Sequence, residues 1–319
     1  MVKLIELGER EVVSRISSIV MSDAAIGPGD DAAAIGIDDD YLVASTDLIR
    51  RTTHMPYGMT DWQMGWMVAA VNLSDIAAMG ARPLGLLLSM LLPGEVDLES
   101  VIRMVEGAQD CSRSVGASLI GGDTKEGEEI VLCGTALGRV TRERILLRSG
   151  ASPGDLLAVT GPMGLAAAGY LALQRGLEFE EGVKSLLQPM PRVAKGLSLS
   201  ACGGVTSCID ISDGLASSVH QLSASSGVFF HVQLDAIPAH PGVKEISMRA
   251  GEDLKELLLY FGGDYELLFT LEPESLGRAR RELRDELWII GEASEGGENL
   301  LITDNGVVEL ENRGYEHFR

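Results

Sequence analysis

Two α/β sandwich domains, of mixed α/β and α+β character, are what this sequence predicts. Three observations point there. The chain has 319 residues, more than one ordinary core holds and about right for two. Strand-like apolar runs alternate with helical patterns along both halves. A polar stretch with Gly and Pro, Arg148-Ser149-Gly150-Ala151-Ser152-Pro153-Gly154, precedes a fresh strand. The expected domains are therefore 1–148 and 149–319.

The elements follow in order. Residues 4–20 have helical periodicity, and 26–31 form a Gly/Pro-rich loop. Residues 32–37 and 41–46 read as strands joined by the turn Asp38-Asp39-Asp40. Residues 60–79 make a long helix, with Thr60 or Asp61 able to cap it. A buried strand at 84–92 leads to an amphipathic helix at 98–115, which ends at Gly116. Strands are expected at 118–120 and 130–140. The second half alternates strand 155–160, helices 164–175 and 191–201, strand 205–209 and helix 213–226. It continues with strand 228–234, helix 254–260, strand 266–270, helix 274–285 and strands 288–291 and 300–303. No short-period repeat appears.

Composition narrows the function. Hydrophobic residues make up 45%, which excludes wholesale disorder, and aromatics only 5%, so aliphatic side chains must fill the interior. A formal net charge of −21 repels nucleic acid and anionic lipid, so neither is an expected partner. It also repels free nucleotide, so an ATP-using enzyme of this charge needs metal ions to bring ATP in. The four cysteines, at 111, 133, 202 and 208, form no C-x-x-C pair, so zinc and thioredoxin-like chemistry are unsupported. The start, Met-Val-Lys-Leu-Ile-Glu, is too charged for a signal peptide, and the run 84–92 is about half a membrane span. A soluble, cytoplasmic protein is expected.

The chemistry lies in eight aspartates set in short clusters of small or polar residues. Gly29-Asp30-Asp31-Ala32-Ala33 puts adjacent carboxylates in a loop. Their side chains diverge, so one can bind metal while the other caps a turn or contacts a second ion; an Asp-rich surface turn is the plain alternative. Ser45-Thr46-Asp47 is read as a strand end, where the sheet fixes the backbone and a side chain reaches a cleft. Asn72-Leu73-Ser74-Asp75 sits in an apolar helix, with Asn72, Asp75 and Met79 on one side by spacing. A carboxylate there is costly unless paired or metal-bound, and a buried salt bridge or a solvent-facing stripe would also explain it. Gly121-Gly122-Asp123-Thr124 follows a strand, where glycines admit phosphate oxygens and Asp123 can hold a bridging cation, or simply make a tight turn. Asp210-Ile211-Ser212-Asp213-Gly214 opens a helix, whose free N–H groups favour anions. Ser212 or Asp213 could be a plain N-cap, which explains one polar residue but not three. Gly262-Gly263-Asp264-Tyr265 is the last cluster. Thr160-Gly161-Pro162-Met163-Gly164 is a candidate phosphate or adenine loop without a P-loop's Lys-Ser/Thr. Arg148 is a candidate phosphate clamp. Converging carboxylates need cations, and hard oxygen ligands select Mg²⁺ or a similar ion.

Taken together and in this order, the clusters from Gly27-Pro28-Gly29-Asp30-Asp31-Ala32 to Gly314-Tyr315-Glu316-His317-Phe318 resemble the thiamine-monophosphate kinases. These belong to the ATP-binding superfamily of aminoimidazole ribonucleotide synthetase. The resemblance implies transfer of the γ-phosphoryl group of ATP to thiamine monophosphate, and two domains of that superfamily's type. The first domain would carry ATP and Mg²⁺ and join its sheet to a partner's in a homodimer; the second would complete the nucleotide and substrate site. The same resemblance implies Asp30, Ser45, Thr46, Asp47, Asp75, Asp123, Asp210 and Asp213 as metal ligands. Asp75, Asp210 and Asp213 would be catalytic, and Gly122, Asp123, Arg148 and Ser212 would contact ATP. His54, Gly263, Asp264, Tyr315 and Phe318 would contact the thiamine moiety, though plain packing explains the two aromatics equally well. One departure is Gly263, where many relatives carry Glu, so a backbone contact or Asp264 would have to serve.

Other readings remain open. A selenophosphate synthetase would carry a reactive Cys or selenocysteine with a Lys near its start, and the hydrogenase maturation type would end in Cys. This chain ends in Phe318-Arg319. A non-catalytic protein holding divalent cations, or a Mg²⁺-dependent phosphatase, would share the acidic clusters.

Overall fold

The computed structural model describes residues 2–318. A 3₁₀ turn (Leu4–Glu6) and helix α1 (Glu9–Ser17) come first. The first sheet is built from β1 (Ala33–Ile37), β2 (Asp40–Arg50), β3 (Arg82–Leu92), β4 (Leu119–Glu126) and β5 (Val131–Thr141). Between these strands lie α2 (Arg51–His54), α3 (Asp61–Ala78) and α4 (Leu98–Ser114). Its spatial order is β1-β2-β5-β3-β4, and β3–β4 is its parallel pair.

The second half runs β6 (Leu156–Val159), α5 (Leu165–Arg175), α6 (Glu180–Leu187), α7 (Val193–Cys202), β7 (Val205–Asp210), α8 (Leu215–Ser226) and β8 (Phe229–Gln233). It ends with α9 (Pro241–Ala250), α10 (Leu254–Leu259), β9 (Leu267–Leu271), α11 (Leu276–Glu282), β10 (Trp288–Ser294), β11 (Leu300–Thr303) and β12 (Gly306–Glu309). These strands form a seven-stranded sheet in the order β12-β11-β8-β10-β6-β9-β7.

The two sheets bury themselves differently. Along β5, residues alternate between a buried face under α3 and a more open face, as the two-residue period of a strand requires. Leu132, Ala136 and Val140 point to the core with Leu73, Ile76 and Met104. The opposite face is uncovered and carries exposed Ile35, Leu48, Leu91 and Ile120. The second sheet is covered on both sides. Leu157, Val159, Ile209 and Leu268 pack under α5, α8, α9 and α10, while Ala158, Cys208 and Phe269 pack under α7 and α11.

Helix α3 is the hinge-pin of the architecture. Thr60 caps it, accepting from Gln63 N–H while Gln63 answers the Thr60 backbone. Nearly all its residues are buried, because α4, the first sheet and α7 surround it. Helix α7 comes so near that a Cβ at Gly196 would stand 2.1 Å from the Ala77 carbonyl oxygen. This contact welds the second half to the first.

Several expectations shift. Strand β2 continues through Ser45-Thr46-Asp47 to Arg50, so that cluster is not at a strand end. The first helix is shorter, because Gly8 at φ 78° breaks the pattern before Glu9. Helices α6 and α9, and strand β12, were not anticipated.

Candidate active site

The aspartates of four distant clusters meet where β2, α3 and β7 come together. Strand β1 pairs with β2 only from Asp40 to Ala44, which leaves the edge of β2 open beyond that point. A cavity of about 640 Å³ opens there, lined by Asp30, Asp31, Ser45, Thr46, Asp47, Asp75, Arg148, Asp210 and Ser212, among others. Its size suits a small-molecule ligand.

At the centre, one carboxylate oxygen each from Asp31, Asp75 and Asp210 lies within 4.8 Å of the others. Ser45 Oγ donates to Asp75, and Ser74 Oγ donates to Asp210 Oδ2 at 2.6 Å. Asp31 Oδ2 is buried without a hydrogen-bond partner. An unsatisfied buried carboxylate oxygen is costly, and a cation would satisfy it. Asp47 N–H donates to Asn72 Oδ1 at 2.9 Å, which fixes this part of β2 against α3. Asn72 fits because Gly134 faces it; a Cβ there would stand 2.2 Å from Asn72 Nδ2.

Electrostatics follow from this crowding. Burial, then the neighbouring carboxylates, hold Asp75 well above the usual carboxylate range. Burial and Asp31 raise Asp210 to about 8. Burial, then Asp31, raises Asp30 to about 6. Asp213 is raised to about 6 by burial and by Glu9. Asp31 and Asp47 are also raised, in both cases by burial first. Such a set resists ionising unless cations arrive. The donors are all hard oxygens, which fits Mg²⁺ and not a soft metal.

The sequence singled out Asp30 from the twin pair and missed Asp31 as a member of this centre. Asp31 abuts β1 and turns inward, while Asp30 accepts from the Arg148 backbone N–H at 3.2 Å. The twin Asp-Asp was the available signal; only the fold tells which of the two points in.

Other expected residues land as follows. The Arg148 guanidinium is not an open phosphate clamp: it pairs with Asp31 at 2.7 Å and donates to Gln221. Burial works against its charge, but Asp31 outweighs that and holds it. The Thr46 hydroxyl turns from the acidic centre to donate to the Gly134 carbonyl at 2.8 Å. Gly122 and Asp123 lie within β4, the far edge strand, and do not line the cavity. Asp123 is exposed and held low by the Thr124 N–H and by Lys125.

Asp264 is turned into the protein, away from the cavity lined by the other aspartates. Its buried carboxylate accepts the N–H groups of Gly164 and Ala166 at the start of α5. Those donors are thereby used, and in the Thr160–Gly164 loop the Thr160 and Met163 N–H groups are also taken, by the Leu267 and Pro238 carbonyls. Burial nonetheless raises Asp264 to about 7. Gly263, at φ 96°, donates its N–H to the Ser212 carbonyl. Asp213 accepts Tyr315 N–H on its main-chain oxygen, which brings the C-terminal segment beside this loop. There His54 lies 6.2 Å from the Tyr315 ring and 5.2 Å from His317, with Phe318 6.3 Å from His317. His54 is lowered by burial and by His317.

Comparison with known proteins adds to this geometry. Residues 29–140 match the AIR synthase related protein N-terminal domain, and 152–303 its C-terminal domain. The chain is 36% identical over 312 residues to a thiamine-monophosphate kinase of Methanospirillum hungatei, covering 98% of this chain and 99% of that one. It is 34% identical to the Salmonella typhimurium protein of the same name, over 98% of both. A solved structure described as AaThiL complexed with AMPPCP and TMP superposes with a TM-score of 0.89 at 27% identity, covering 99% of both chains. A hydrogenase maturation protein HypE in complex with ATP shares the fold, with a TM-score of 0.74 at 22% identity, covering 93% of both chains.

Proposed function

This chain belongs to the thiamine-monophosphate kinases, within the AIR synthase related proteins, and we propose that the carboxylate cavity described above is its reaction centre. The protein is an enzyme that transfers the γ-phosphoryl group of ATP to thiamine monophosphate, giving thiamine diphosphate and ADP. The observation that carries the proposed site is the meeting of Asp31, Asp75 and Asp210, three carboxylates from separate elements.

The acceptor is a phosphate monoester whose second pKa is near 6, so it is mostly ionised at neutral pH. No strong general base is required. The obstacle is the approach of two anions in line. Asp30, Asp31, Asp47, Asp75 and Asp210, with Ser45, would hold Mg²⁺, and Asp213 a further ion. Bound there, Mg²⁺ offsets the charge of the phosphates and orients them. Thr46 is left its main-chain carbonyl for such a role. Arg148, paired with Asp31, works against the burial that raises that carboxylate and keeps it aimed at the centre. Ser212 lines the same cavity, where it would meet the nucleotide. His54, the Gly263 backbone, Tyr315 and Phe318 form the thiamine side.

Gly122 and Asp123 fit this scheme through a homodimer. Asp123 stands three strands from Asp47 in one sheet, roughly 14 Å at ordinary strand spacing. It is on the open face, in the row Leu48, Cys133, Ser89 and Asp123. A second copy packed on that apolar face would carry its own Asp123 toward this cavity. The division of labour then runs between 1–148, which dimerises, holds most ligands and lends His54 to the thiamine side, and 149–319, which adds Asp210, Ser212 and the rest of the thiamine side.

The direct test incubates the protein with ATP, Mg²⁺ and thiamine monophosphate and separates the products. Thiamine diphosphate is expected. Free phosphate alone would indicate a phosphatase, and metal-dependent melting without turnover a cation-binding protein. Mixing inactive Asp75→Asn and Asp123→Asn chains tests the shared site. Heterodimers would regain activity if Asp123 serves its partner, and none would return if it serves its own chain.

A further inference from the structure

We propose that Glu9 provides the negative charge that selects the cationic thiazolium ring of thiamine monophosphate, which makes it a specificity-determining residue. This rests on the reaction assigned above.

Glu9 is the first residue of α1. Its Oε2 accepts His317 N–H at 2.9 Å, and its own N–H donates to the His317 carbonyl. The carboxylate is thus fixed to a shelf of rings. The His317 ring stands 5.2 Å from His54 and 5.0 Å from Tyr315, with Phe318 beyond. Three distant parts of the chain build this shelf, beside the loop that carries Ser212 and Asp213.

The charge of Glu9 has no ion-pair partner among the described residues. Two arginines of this region are turned elsewhere. Arg10 bonds Asn312 and Ser217 and lies 3.8 Å from Glu316, and Arg50 pairs with Glu129 at 3.1 Å. Within the shelf, burial and then His317 hold His54 below its ordinary value, so that ring is a weak source of positive charge near neutral pH. Aromatic faces beside an unmatched carboxylate attract a permanent cation. The acceptor carries one in its thiazolium ring, away from the phosphate that must reach the acidic centre.

A role confined to helix stability is the rival account, since an acid at a helix start is favourable in itself. Glu9→Gln separates the two. It keeps an acceptor for His317 N–H and removes the charge. For this variant the KM for thiamine monophosphate should rise ~10-fold, with kcat and the KM for ATP within about twofold. Inhibition by hydroxyethylthiazole phosphate, whose ring is uncharged, should be unaltered. Glu9→Asp should retain most of the selectivity for the cation. An unchanged KM, or equal weakening of the charged and uncharged ligands, would overturn the assignment to Glu9 and leave the kinase intact. Failure of the unsubstituted enzyme to make thiamine diphosphate would instead overturn the reaction itself.

Discussion

Asp75 is the residue on which the electrostatics of the cavity press hardest, since Asp47, Asp210 and Asp31 all raise it beyond what burial does. Asp75→Asn should lower kcat roughly a thousandfold. Without divalent ions the same variant should be more stable than the parent by about 1 kcal/mol, because a buried repulsion is relieved. Melting with and without Mg²⁺ checks both halves of this statement; unfolding of the variant would assign Asp75 to structure. The sign of the pH effect follows from the raised groups. Unfolded carboxyls ionise near 4, while Asp210 keeps its proton to about 8 in the fold and Asp30 and Asp213 to about 6. The folded chain binds more protons across that window, so ion-free stability falls as pH rises from about 5 to about 8. Scanning calorimetry in chelator should show this decline, and Asp210→Asn should flatten it. At this scale the sequence was legible where chemistry is unusual, as at Asp75 in an apolar helix. It was not legible at Asp31 and Asp264, whose tasks depend on which way the backbone turns them.

Helices α3 and α7 show how elements decide what residues can do. Their close approach depends on Gly196, and Gly196→Ala should cost roughly 1–3 kcal/mol through overpacking, read as a lower denaturation midpoint. Activity should fall with it, since Asp75 and Ser74 ride on α3 and Asp210 on the sheet that α7 covers. Long patterned elements such as α3 and β5 were legible because burial on one side imposes a period. Helix α9 was not, since Pro241 and Gly242 open it and read as a loop, although Pro suits a first helical turn. Helix α6 is short and contains Gly182, whose value appears only on packing. A Cβ at Gly169 of α5 would lie 2.1 Å from the Gly182 carbonyl oxygen. Strand β2 was cut short because its polar Ser45-Thr46-Asp47 interrupts the apolar pattern that identifies strands.

Across the whole molecule, an acidic surface and one bare apolar sheet face coexist. Two division signals, the 148–154 stretch and the alternation of elements, made two α/β units legible. Whether the open face of the first sheet is covered was beyond composition, because an exposed face and a buried one carry the same residues. If the proposed homodimer packs on that face, Leu48→Asp should leave monomers, seen by sedimentation, and abolish turnover while leaving helix content unchanged. No helix among the described residues is long and apolar enough to cross a membrane. The uncovered face also holds Cys133, the one cysteine of four that is not buried. If two copies pair over that face, a thiol reagent should reach that sulfur readily in separated subunits and slowly in joined ones. The chain would then carry its own chemical gauge of assembly, readable without adding a label elsewhere.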